Sequence, residues 1–334
     1  MKPLLKTLTE TFGPSGFEEA LRKIIQKEVK PFADEIRVDA MGSLIAHKKP
    51  TVNVKNSRRI MLAAHMDEIG VIVSHVDKNG FVRFTNVGGV FGRYTLGARV
   101  RFMNGATGVV GFDKLEAVDQ APSMSKMYID VGASSRKDCP VKVGDFGAFE
   151  RSYMEMGNRL VAKSMDDRAG VVVLIETLKA IKATPHDLYF VFTTQEEVGV
   201  RGAGTAAYSI DPEIGIAVDV TGTGDTPASL KMAMELGKGP CVKVRDPGML
   251  SDPRVVEWMT FTAEKAKIPY QREVLLVGST DAKAIQVTRA GVMSGALSIP
   301  CRYIHSASEM VDYEDLKNSV KLLTAMLSKP VGFG

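Results

Sequence analysis

The stretch Leu188-Tyr189-Phe190-Val191-Phe192-Thr193-Thr194-Gln195-Glu196-Glu197 decides the fold. Its apolar, aromatic and β-branched opening has the length and make-up of a strand covered on both faces, and it delivers two carboxylates at its C-terminal end. Two further runs behave alike. Arg59-Ile60-Met61-Leu62-Ala63-Ala64 delivers His65, and Ile214-Gly215-Ile216-Ala217-Val218 delivers Asp219. Helical periodicity lies between and after them, over Asp167 to Ile181, from Asp252-Pro253 through Lys267, and from Asp312 to Leu327. Near the start, Ser15 and Glu18 form a capping-box pattern that opens an amphipathic first helix through Leu21, Ile24, Ile25 and Val29. Buried strands alternating with helices predict an α/β fold, a doubly wound mixed sheet flanked by helices. Such sheets bind ligands beyond the carboxyl ends of their strands.

From Gly70 to Asn158 the texture changes. Short alternating strands such as Phe81-Val82-Arg83-Phe84 and Ala98-Arg99-Val100-Arg101-Phe102 are separated by turns at Asn79-Gly80, Gly88-Gly89 and Asn104-Gly105. This predicts an inserted all-β domain, a small barrel or sandwich, at residues 70–158. The α/β domain is then discontinuous, made of residues 1–69 and 159–334.

Composition sets the remaining bounds. Hydrophobic residues make up 45% and charged residues 25% of the 334, which is globular rather than disordered or fibrous. The net charge of +4 is spread over 43 basic and 39 acidic residues, with no basic block interleaved with aromatics, so no nucleic-acid partner is expected. No apolar run reaches the roughly 18 residues of a membrane span. The start, Met1-Lys2-Pro3-Leu4-Leu5-Lys6, has no export pattern, and Cys139, Cys241 and Cys301 lie far apart without CxxC spacing; a reducing, cytoplasmic location is expected.

The strand ends carry metal-binding residue types. In His65-Met66-Asp67 the two polar side chains fall on one side of a strand end, where a carboxylate can fix the tautomer of a ligating imidazole; a plain hydrogen-bonded pair explains the motif too. Asp166 and Asp167 open a helix. Capping explains one of them, and a carboxylate shared between two cations would explain the other. Adjacent Glu196 and Glu197 are costly to desolvate unless cations or hydrogen bonds compensate, although a solvated loop is the alternative. Of the histidines, His47, His75 and His186 fit surface or structural roles. His65 and His305 match the need of two metals for one imidazole each.

Together, Ala64-His65-Met66-Asp67-Glu68-Ile69-Gly70, Ser164-Met165-Asp166-Asp167-Arg168-Ala169-Gly170, Thr194-Gln195-Glu196-Glu197-Val198-Gly199, Val218-Asp219-Val220-Thr221, Gly278-Ser279-Thr280-Asp281-Ala282 and Arg302-Tyr303-Ile304-His305-Ser306 resemble the tetrahedral aminopeptidases, the glutamyl and deblocking aminopeptidase group of two-metal peptidases. The resemblance covers essentially the whole chain. It implies a zinc-peptidase-like fold and removal of N-terminal residues from short peptides. It also implies one ion (Zn2+ or Co2+) on His65, Asp166 and Asp219 and a second on Asp166, Glu197 and His305. Glu196 becomes the general base and Asp67 the partner of His65. The insert would mediate dimerisation, and six dimers would form a homo-oligomeric dodecamer. Asp281 would contact substrate or orient a ligand, with helix capping as the alternative. Two rivals remain: a glycoside hydrolase using Glu196 and Glu197, whose adjacency ill suits carboxylates that must stand about 5 Å or more apart, and a non-catalytic, metal-stabilised assembly protein, which would have no need of Glu196.

Overall fold

A computed structural model describes residues 1–54, 56–114 and 122–332, so the expected spans 70–158 and 159–334 each include positions outside the described residues. The chain opens with α1 (Lys2–Glu10), α2 (Glu19–Val29), β1 (Glu35–Val38), β2 (Leu44–Lys48) and β3 (Arg59–His65). Then come β4 (Gly70–Val76), β5 (Val82–Val87), α3 (Gly92–Thr95), β6 (Arg99–Phe102), β7 (Thr107–Phe112), β8 (Met127–Asp130) and β9 (Phe146–Glu150). The remainder is β10 (Met154–Met156), β11 (Arg159–Ala162), α4 (Met165–Ala180), β12 (Asp187–Thr193), α5 (Arg201–Ile210), β13 (Ile214–Thr221), β14 (Cys241–Arg245), α6 (Pro253–Ala266), β15 (Gln271–Val274), α7 (Ala282–Gln286), β16 (Met293–Arg302), β17 (Glu309–Asp312) and α8 (Tyr313–Leu327).

An 11-stranded mixed sheet runs β1-β2-β12-β3-β13-β16-β17-β11-β10, with β14 and β15 joined to it through β16. Its centre, β12-β3-β13-β16, is parallel. The two-residue period of a strand explains why these runs are apolar throughout. On β3, Ile60, Leu62 and Ala64 enter the core shared with α1, α2, α4, α6 and α8. Met61 and Ala63 turn the other way, into a core with Ala203 and Ala206 of α5 and Ile285 of α7. The expected mixed α/β sheet with helices on both faces is therefore present.

The inserted β segment is a closed barrel, β4-β5-β8-β7-β6-β9, rather than a sandwich. Val71, Phe84, Val100, Phe102, Ile129 and Phe149 fill it. β10 pairs with β11 and so lies on the large sheet.

Two features of the N-terminus differ from expectation. The helix after Ser15 is the second, not the first, and no capping box forms there. Ser15 Oγ instead donates to Asp67 Oδ2 at 2.6 Å, and Glu18 accepts the N–H groups of Gly16 and Gln195, because partners at the strand ends compete successfully for these side chains. The helix that precedes it, α1, carries Pro3 in its first turn and buries Leu5 and Leu8. Its last carbonyls find a partner far away in sequence: the buried Arg168 guanidinium donates to Leu8 O at 2.6 Å and Thr11 O at 3.0 Å.

Candidate metal centre and active site

Parallel register brings the polar strand ends together. Thr193 of β12 is paired with His65 of β3, and the β13–β3 register, Ala217 with Ala63, places Asp219 level with His65 two residues further on. His65 Nε2 lies 3.8 Å from Asp219 Oδ1. Asp166 and Asp167 arrive from the start of α4, where both have non-helical backbone angles and their shared peptide bond is cis.

Asp166 sits at the middle of the cluster. Its Oδ1 is 2.9 Å from His65 Nε2 and its Oδ2 is 3.4 Å from His305 Nε2, which in turn stands 3.2 Å from Glu197 Oε2. Ligand atoms of His65, Asp166 and Glu197 lie within 4.8 Å of one another, as do those of His65, Asp167 and Asp219. The structure thus brings His65, Asp166, Glu197, Asp219 and His305 together and sets Asp167 beside them, where its Oδ1 also accepts from Gly170 N at 3.0 Å.

Supporting contacts hold these groups in place. His65 Nδ1 faces the Asp67 carbonyl at 3.1 Å, where it can only donate, while the Asp67 carboxylate accepts the N–H groups of Glu196 and Glu197 at 3.0 and 3.1 Å. Asp67 therefore orients both His65 and the turn that presents Glu196. Asp281 is buried, makes no capping bond to α7 and accepts from Thr193 Oγ1 at 2.5 Å. It does not line the cleft, a placement that suits orientation of neighbours rather than substrate contact. Glu309 joins the two halves of the site by accepting from Asp166 N at 2.9 Å and His305 N at 2.8 Å. His47, His75 and His186 lie elsewhere, bonded to Asp187, Arg136 and Lys329 respectively.

The barrel contributes a wall. A Cβ on Gly89 would stand 2.4 Å from His305 Nδ1, and one on Gly88 would stand 3.1 Å from Glu197 Oε2. Only glycine permits so close an approach at Gly89. The Phe91 ring lies over the His305 imidazole with centroids 6.1 Å apart. Left-handed backbone angles at the non-glycine residues Ser164, Gln195, Tyr303 and His305 cluster around the same cleft, as strained conformations do at functional sites.

The electrostatics are those of a pocket crowded with buried carboxylates, balanced in part by His65, His305 and the buried Lys243. Burial opposes protonation of His305, yet hydrogen bonds to Asp166 and Glu197 outweigh it and push the imidazole up to about 12. His65 is likewise held well above the usual range by Asp166 and Asp67 despite its burial. Burial, reinforced by neighbouring carboxylates, raises Glu196, Glu197, Asp219 and Asp167. Burial also lifts Asp281 to about 6, and burial together with Asp166 lifts Glu309 to about 8. Among the described residues, Asp167 Oδ2, Glu197 Oε1 and Asp281 Oδ1 are buried without a hydrogen-bond partner. Buried carboxylate oxygens with free lone pairs are stabilised by cations. The oxygen and imidazole donors suit zinc or cobalt. The cleft above has a volume of about 520 Å³.

Comparison with known proteins agrees along the whole chain. The family model for M42 glutamyl aminopeptidases matches residues 42–322. Lysyl aminopeptidase from Pyrococcus furiosus is 36% identical, over 99% of this chain and 98% of that one. A solved aminopeptidase from the archaeon Desulfurococcus kamchatkensis is 39% identical, with a TM-score of 0.93 over 98% of this chain and 94% of that one. The TET1 peptidase of Pyrococcus horikoshii, which can assemble into a tetrahedron or a large octahedral shell, is 33% identical, with a TM-score of 0.86 over 98% of this chain and 99% of that one. The chain belongs to the M42 glutamyl aminopeptidase family.

Proposed function

We propose that this chain is a cytoplasmic two-metal aminopeptidase that removes N-terminal residues from short peptides. One observation carries the reading: the two oxygens of Asp166 face separate histidines, with Asp219 on the His65 side and Glu197 on the His305 side. That is the donor arrangement a bridging carboxylate between two divalent ions requires. His65, Asp166 and Asp219 would hold one ion, with Asp167 beside them, and Asp166, Glu197 and His305 the other. When bound, Zn2+ or Co2+ supplies Lewis acidity toward the scissile carbonyl and lowers the pKa of water towards about 7.

The chain's own groups do the rest. Donation from Nδ1 to the Asp67 carbonyl would leave Nε2 of His65 as the lone-pair nitrogen once a cation replaces the proton that the neighbouring carboxylates otherwise hold there. Glu196, adjoining the ligand Glu197 and fixed through its N–H to Asp67, takes a proton from the attacking water onto its carboxylate and returns it to the leaving amine. Such acid–base groups contribute about 10²- to 10⁴-fold. Glu196→Gln should therefore lower kcat on aminoacyl-p-nitroanilides by a factor in that range, with two ions per chain still found by elemental analysis. Unchanged turnover would remove Glu196 from the mechanism.

Residues 1–69 with 159–334, joined on their sheet by β10, form the catalytic unit in this reading, and the barrel within residues 70–158 pairs subunits in a dodecamer. Exposed apolar side chains on the barrel, Met103, Val109, Phe112 and Val143, supply surface for that pairing. The three cysteines are unpaired, which suits a reducing compartment.

A further inference from the structure

We infer that the cleft beside the carboxylate cluster is a subsite for an uncharged, apolar N-terminal side chain, so that this enzyme selects residues of the leucine, methionine and norleucine type over lysine and glutamate. The inference rests on the aminopeptidase reading, because only an anchored N-terminal residue must project its side chain within reach of the cluster.

The wall is built by two segments. After β13 the chain returns Leu230 and Met232 to the cleft, and after β15 it places Leu275, Leu276 and Val277 there. Met232 is seated over the end of β13, where a Cβ on Gly222 would meet its Cε at 3.5 Å; the second segment is pinned by the Leu275 N–H, which donates to Arg245 O at 2.9 Å. Leu230, Leu276 and Val277 are 62%, 55% and 76% exposed, a local concentration of large apolar side chains in contact with water.

Charge is absent from this wall. Among the described residues lining the cleft, every ionisable side chain belongs to the metal-binding cluster or is Glu196. The nearby hydroxyls are already engaged: Thr221 Oγ1 donates to Glu273 at 2.6 Å, and Ser279 Oγ donates to Asp246 at 3.3 Å. Both acceptors belong to a network around the buried Lys243, none of whose three members lines the cleft. A substrate ammonium or carboxylate laid along the wall would lose water and find no partner, whereas a butyl or thioether chain would bury apolar area at a gain. Continuity with the cluster singles out a substrate side chain as the occupant rather than a distant partner.

Norleucine and lysine have the same chain length and differ by one ammonium group; methionine and glutamate form a similar pair. The test measures kcat/KM for the four aminoacyl-p-nitroanilides on zinc- and cobalt-loaded full-length enzyme, together with calorimetric binding of free norleucine and lysine. The expected result is a preference of about 10²-fold or more for the uncharged member of each pair. Met232→Glu should shift the norleucine-to-lysine ratio at least about tenfold toward lysine. Equal rates, a preference for either charged residue, or a ratio unmoved by both Met232→Glu and Leu276→Glu would overturn the subsite. A fall in sedimenting mass on Leu276→Glu with selectivity intact would overturn it too, by making the wall a contact with a second copy. If all four anilides are inert yet norleucine binds more tightly than lysine, the subsite stands and hydrolysis is the part that fails. Inert anilides with no difference in binding overturn both.

Discussion

Gly89 shows how little room a single position has here. Its hydrogen faces the His305 ring at a distance where a methyl group cannot fit, so Gly89→Ala must displace either the imidazole or the barrel loop. We expect this variant to lose about 10²-fold in kcat/KM, the penalty of misplacing a catalytic constellation by about 1 Å, while far-ultraviolet circular dichroism stays that of the wild type. A fully active variant would show that His305 is free to retreat. His65, Glu196, Glu197 and Asp219 were legible because each follows an apolar run, and a polar side chain delivered by a buried strand needs a reason to be there; Asp166, at a helix start, and His305 were legible through the ordered motifs around them. Gly88, Gly89, Phe91 and Glu309 gave no comparable sign. Gly88-Gly89 reads equally well as an ordinary turn, and Glu309 acts only through N–H groups that folding carries to it from 143 and 4 residues away.

At the scale of elements, the strands and long helices declared themselves through period and length, whereas α1 did not. It is nine residues long, it buries only Leu5, Leu8 and Thr9, and its C-terminal carbonyls depend on Arg168, which nothing in residues 1 to 10 foreshadows. The join between α8 and the 237–239 loop is testable through pH. Asp315, buried in the first turn of α8, accepts from Gly237 N at 2.7 Å and Gly239 N at 2.8 Å, and burial raises it from its ordinary 3.8 to about 6. Between those two values the folded chain holds more protons at this site than the unfolded chain. The contribution of Asp315 to stability is therefore fully present below about pH 3.8 and is lost as pH rises through about 6. Denaturant unfolding from pH 4 to 7 should show the stability of wild type falling relative to Asp315→Asn. Parallel curves would mean that Asp315 titrates alike in both states.

For the whole molecule, the family and the α/β architecture were readable because the motifs run in order along essentially the entire chain, and the comparisons agree on both. The choice between barrel and sandwich was not readable, since closure depends on β9 meeting both β4 and β6, pairings between segments far apart in sequence. Assembly is tested at the barrel surface. If the proposed dodecamer is paired through that face, a carboxylate at Phe112, 43% exposed on β7, should reduce the sedimenting mass toward smaller species. An unchanged dodecamer would move the contact elsewhere. The seating of Gly88 and Gly89 against Glu197 and His305 has one more consequence. A scaffold and a reaction centre that share an atomic boundary cannot drift independently, so in the proposed enzyme whatever tilts the barrel would also act as a throttle on turnover.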